Sequence, residues 1–128
     1  MKARETALRL KRFELDEKAR KVSDLELMIR EFETIASDLD RQIQAEEDRT
    51  GIKDVRHFAY STFAKSAALR RDNLRASIAG LRAKLEAAQQ EVDAARQQLE
   101  RAASDQTSRD TVRSSRRRHD RPAGFALR

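Results

Sequence analysis

From Leu8 onward an apolar side chain returns at almost every seventh position: Leu8, Leu15, Val22, Ile29, Ala36 and Ile43. Three residues further on, a second row reads Lys11, Lys18, Leu25, Phe32, Leu39 and Glu46, and Met28 and Ile35 widen the stripe in the middle. This is helical spacing, since a strand would need strict alternation of apolar and polar residues. A second run is cleaner. Leu74, Ile78, Leu81, Leu85, Ala88, Val92, Ala95, Leu99 and Ala102 follow one another by steps of four and three, and the same steps lead back through Arg71, Ala67, Ala64 and Tyr60. Two apolar positions in seven supply a helix–helix seam but not a layered core. The composition agrees: charged residues make up 39% and hydrophobics 38%, with three Gly and one Pro, a mixture suited to long exposed helices.

Between the two runs the seam turns polar at four successive positions, Glu46, Thr50, Lys53 and His57. Gly51 lies inside this gap and accepts the positive φ of a helix C-terminus at little cost. Asp54 is placed to cap the helix that follows. The expected fold is therefore all-α: a long antiparallel two-helix coiled-coil hairpin over residues 1–103. Helix 1 is expected at about 3–49, the turn at about 50–55 and helix 2 at about 56–103. At 1.5 Å per residue each arm would reach about 70 Å. The heptad phase is the same on both sides of Gly51, so one unbroken helix in a parallel dimer is the alternative. The polar seam argues for the turn. Beyond Ser104 apolar spacing vanishes, and residues 104–128 read as a disordered, Arg-rich tail. Seven Arg against three Asp in that tail supply +4 (7 − 3) of the formal net charge of +6.

Catalytic chemistry has little to build on. There is no Cys, and the two His, His57 and His119, fall in the turn and the tail. The three Gly stand alone, so no glycine-rich loop can cradle a phosphate. Acidic neighbours such as Glu46 and Glu47 point to different sides of a helix. No catalytic, cofactor-binding or metal-binding residue is assigned, no cofactor is expected, and the chain reads as a non-enzyme. The start, MKARETALRLKRF, lacks the apolar run of a signal peptide. No stretch approaches the roughly 20 apolar residues that cross a bilayer. A cytoplasmic protein without membrane insertion is expected.

Partner-binding candidates stand out as departures from the seam. Phe58, Tyr60 and Phe63 place three of the six Phe and Tyr residues within six positions at the turn. They either close the seam against Ile43 and Ile52 or offer an aromatic patch to a partner. Leu10 and Phe13 lie three apart on one helix face, off the seam, where Lys11 and Lys18 weaken it. Arg71 falls on the seam itself, near Glu31 or Asp38 in a hairpin, where it would fix register or, with Arg70, present a polar surface.

At RLKRFELDEKARKV (9–22) and HFAYSTFAKSAALRRDNL (57–74) the chain resembles flagellar export proteins of the FliJ family, in particular their alphaproteobacterial type. The resemblance covers roughly residues 1–100 and leaves out the tail. The HFAY segment at the turn, with the length and the equal arms, lifts it above a generic coiled coil. It implies an antiparallel two-helix coiled coil similar to the central stalk subunit of rotary ATPases. It also implies a stalk seated by its terminal end in the ring of the flagellar type III export ATPase (FliI-like). Such a stalk links that ring to the export gate protein (FlhA-like) at the cytoplasmic face of the inner membrane and helps cycle export chaperones. Leu10 and Phe13 fit the ATPase-facing role, and Phe58, Tyr60 and Phe63 the gate-facing one. The competing readings are a generic dimeric coiled-coil scaffold and a basic-tail nucleic-acid binder. For the second, Arg116, Arg117 and Arg118 with Arg113 and Arg121 would touch phosphates. No aromatic interleaving accompanies them, and no nucleic-acid partner is expected.

Overall fold

Gly51 adopts φ 73°, the only positive φ among the described residues, and there the first helix stops. A computed structural model describes residues 2–120, with side-chain surroundings up to residue 116. It contains two helices: α1, Lys2–Thr50, and α2, Thr62–Asp120. No Gly or Pro interrupts α1. At its end the Gly51 N–H donates to the Glu47 carbonyl at 2.8 Å, the single bond of a left-handed C-cap. The first helix thus ends within a residue of expectation.

The second helix begins later than about 56, and Asp54 does not cap it. Local hydrogen bonds hold residues 54–60 in successive turns instead. The Asp54 carboxylate accepts the Arg56 N–H at 2.9 Å, and its carbonyl accepts the His57 N–H at 3.0 Å. His57 Nδ1 accepts the Ala59 N–H, and the His57 carbonyl accepts the Tyr60 N–H, both at 3.0 Å. Short polar side chains that bond their own backbone two residues on compete with helix in this way. The N-cap is Ser61, whose Oγ accepts the Ala64 N–H at 3.2 Å.

The chain divides into two compact units, Ala19–Gln89 and the pair of segments Met1–Lys18 with Gln90–Arg128. In the first, the turn unit, α1 buries Leu25, Ile29, Ala36, Leu39 and Ile43, and α2 buries Ala64, Ala67, Ile78 and Ala88. The best-packed cluster joins Leu39 and Ile43 to Tyr60, Ala64 and Ala67. Ala64, with no exposed surface, lets the helices approach closely. The direction of pairing is antiparallel: Asp40 meets Arg71 and Arg75, whereas the earlier Glu33 meets the later Arg82. Arg71 therefore finds Asp40 rather than Glu31 or Asp38, two residues beyond the nearer of the expected partners and nine beyond the other. Met28 and Ile35, expected to widen the seam, are exposed at its margin.

In the second, the terminal unit, packing is thinner. Leu8, Lys11, Leu15 and Lys18 are half-buried, and on α2 of this unit only Val92 and Ala95 are buried. Helix α2 does not end near 103. It runs on to Asp120, so the expected disorder from residue 104 does not hold over 104–120, while 121–128 lie outside the described residues. The physical reason is that apolar spacing governs packing, not helix persistence. Nothing in 104–120 breaks a helix, Gln and Arg favour one, and extending an existing helix avoids the cost of nucleation. The Thr107 and Thr111 hydroxyls donate to carbonyls four residues back at 2.9 Å.

Candidate functional site

The turn unit closes through the polar residues that interrupt the seam. Glu46 Oε1 accepts the Ser61 hydroxyl at 3.0 Å, so the N-cap of α2 is held by a carboxylate of α1. Arg49 donates to the same carboxylate, Nη2 to Oε1 at 2.5 Å and Nε to Oε2 at 3.2 Å. These donors, Arg49 first and Ser61 second, hold the Glu46 carboxyl below its ordinary range, and the Arg49 guanidinium is raised in return. A polar seam position therefore serves the turn rather than weakening it.

The three aromatics of this region separate. Tyr60 is buried in the cluster with Ile43 and Ile52, so it closes the seam, and burial raises its phenol above the usual value. Phe58 is 97% exposed and its ring stacks on that of His57, with centroids 4.7 Å apart. Phe63 is 56% exposed. Val55, which carried no periodic signal, is exposed in the same connection. Three exposed apolar side chains, Val55, Phe58 and Phe63, thus mark the turn, with Lys53, Arg56 and His57 near them in the chain. Large rings left in water are a recurrent feature of partner surfaces.

Arg71 is mostly covered. It donates Nη1 to Asp40 Oδ1 at 2.9 Å, while Arg75 takes the other Asp40 oxygen at 2.9 Å. The Asp40 hydrogen bond is the main reason the Arg71 guanidinium is raised above its ordinary value. Arg71 thus bridges the two helices, and the adjacent Arg70 is left exposed with Leu69.

In the terminal unit, Leu10 and Phe13 are 56% and 60% exposed on α1. They turn away from the half-buried row of Leu8, Lys11 and Leu15. A shallow groove lies on the other side of α1, where Leu8 and Lys11 face Ala102, Asp105 and Gln106. The Gln106 Oε1 atom is enclosed there without a hydrogen-bond partner among the described residues.

Among the described residues no three His, Asp or Glu side chains gather as a metal site, and no helix is long and apolar enough to cross a membrane. What the arrangement offers is contact area: aromatic side chains at the turn and an apolar pair on α1 of the terminal unit. No protein-family model, no curated protein and no solved structure matches this chain, so its function is argued from these residues.

Proposed function

We propose that this chain is a non-enzymatic, stalk-like component of the flagellar type III protein export apparatus. It binds the export ATPase ring, contacts the export gate at the cytoplasmic face of the inner membrane, and engages export chaperones. The observation that carries this reading is that each unit leaves large apolar side chains in water that its own seam does not use. Leu10 and Phe13 face the ATPase, and Phe58 and Phe63 face the gate. Tyr60 contributes from beneath by holding the turn, and Arg70 offers a charged contact beside it. The partner ring hydrolyses ATP, while this chain supplies an asymmetric surface that biases ring subunits toward different conformations.

Addition of the purified chain to its cognate export ATPase tests this. Ring assembly and turnover should rise, and the Leu10→Asp, Phe13→Asp double variant should lose the effect while keeping wild-type helix content. Unchanged assembly and turnover with the wild-type chain would sink the proposal. A generic dimeric scaffold is the second reading, favoured by Met28 and Ile35, exposed seven residues apart beside the seam. Light scattering separates it, because a scaffold of that kind is a dimer at micromolar concentration.

A further inference from the structure

The continuation of α2 to Asp120 changes what the arginines beyond Ser104 do. Counting on from Leu99 and Ala102 by fours and threes, the seam positions fall on Gln106, Arg109, Arg113 and Arg116. Counting back from Leu8 on α1, the next seam position is Arg4. The zipper of apolar side chains therefore gives way to guanidinium groups on both helices. Arg4, Arg109, Arg113 and Arg116 converge with Ser108 and Val112 on one open groove of about 330 Å³. Arg4 is half-buried and the other three are exposed.

Four like charges at seam positions repel one another unless an anion lies between them. Among the described residues none of the four pairs with a carboxylate. Asp105 lines the adjoining groove with Arg4 and Arg109, and Asp110 lies apart, beside Thr107 and Thr111. The first backbone N–H groups of α1, the positive end of its dipole, begin at Lys2, two residues before Arg4. The four guanidinium groups and this dipole end outweigh Asp105, the carboxylate at the groove's margin.

We propose that this groove binds the phosphate backbone of single-stranded nucleic acid without reading its bases. Arginine forks grip phosphate oxygens in pairs, which lysine ammonium groups do not. Along the axis Arg109, Arg113 and Arg116 are separated by about 6 Å and about 4.5 Å, steps that a flexible strand can follow with successive phosphates. The side chains line a groove rather than a convex ridge, which suits a thin strand better than a flat bilayer. Val112 is the one apolar residue of the patch, too little to enter lipid. No Phe, Tyr or Trp follows Phe63 in the described part of α2, so bases have no ring to stack on and the binding is electrostatic. This assignment stands apart from the export reading, and its test needs no export component.

Fluorescence anisotropy of the full chain with a labelled oligothymidine of about 20 nucleotides is the test. Four phosphate contacts on a single strand give a slope of log affinity against log salt near −3, about a 50-fold loss between about 50 and about 200 mM salt. The triple variant Arg109→Gln, Arg113→Gln, Arg116→Gln should reduce the slope to about −1. A control with equal charge loss, Arg70→Gln, Arg96→Gln, Arg101→Gln, should keep it near −3. Should the Gln variant lose helix content by circular dichroism, the Arg→Lys triple replaces it, with weaker binding and an unchanged slope as the supporting result. No binding at low salt, equal losses in the two Gln variants, or preferential binding to vesicles of anionic phospholipid or to polyglutamate would each overturn the proposal.

Discussion

The two units of this molecule use the same heptad spacing and reach different degrees of closure. In the turn unit, branched or bulky apolar side chains of α1 meet alanines and Ile78 of α2, and three ion pairs, Asp40 with Arg71 and Arg75 and Glu33 with Arg82, cross between the helices. In the terminal unit, lysines occupy two of the four α1 seam positions between Leu8 and Lys18, and α2 answers with Val92 and Ala95 buried and Leu99 and Ala102 half-buried. Their aliphatic stems cover some apolar surface, but the ammonium groups stay in water. The lesson is that periodicity sets which side chains face a partner helix, whereas side-chain size and charge set how firmly the contact holds. The firm unit leaves its exposed aromatics around a fixed turn. The loose unit leaves an apolar pair and an arginine groove on a frame that a partner can stabilise by mass action.

The contrast can be broken most forcefully by truncating the seam. Leu39→Ala in the turn unit should cost about 2–5 kcal/mol, whereas Leu8→Ala should cost about 1 kcal/mol or less, because a half-exposed site loses less transfer free energy and leaves no closed cavity. Urea titration followed by far-ultraviolet circular dichroism reads both. Equal costs would mean that the terminal unit is packed as well as the turn unit.

Within the turn the aromatics should divide in the same manner. Tyr60→Ala is expected to cost about 3 kcal/mol, because it empties the cluster around Ile43 and Ala64. Phe58→Ala should stay within about 0.5 kcal/mol, since its ring is almost wholly in water. Thermal melts of the two variants check this, and comparable losses would place Phe58 in the fold rather than on a partner surface.

Gly51→Ala comes next, at about 1 kcal/mol. A methyl group there would meet no atom within 4 Å, so the whole cost is the positive φ. Asn at the same position should recover part of the loss, and the same melts measure it.

The smallest expected effect is in acid. The Glu46 carboxyl is held below its ordinary value of 4.5 by Arg49 and Ser61. A depressed carboxyl contributes stability that is present above its unfolded-state value and is lost as pH falls through the folded one. Glu46→Gln should therefore flatten the acid side of the melting temperature against pH and leave its neutral side little altered. An unchanged acid limb would show that the Ser61 contact is not maintained in solution.

Much of the fold was legible in the sequence because the steps of four and three are themselves a statement about burial. Every seam position from Ala64 to Ala102 is buried or half-buried, including Arg71, and so is Tyr60. Tyr60 lies on that count and Phe58 and Phe63 do not, although all three stood together as aromatic candidates at the turn. The start of α2 was less legible, because Asp54 and Ser61 are both good caps and only the turns through His57 decide between them. The hydrogen bonds decide for Ser61: its carbonyl takes the Lys65 N–H and its hydroxyl the Ala64 N–H. The extent of α2 was misread because loss of apolar spacing resembles disorder, although no helix breaker precedes Pro122. With that helix in place, Arg109, Arg113 and Arg116 share the seam side of α2 and line one groove with Arg4.

Native-state hydrogen exchange along the full chain tests the central contrast most directly. Amides of 25–43 and 64–88 should be the most protected, with protection falling toward 2–18 at one end and 96–120 at the other. Uniform protection across both units, or slower exchange in the terminal unit than in the turn unit, would contradict the account.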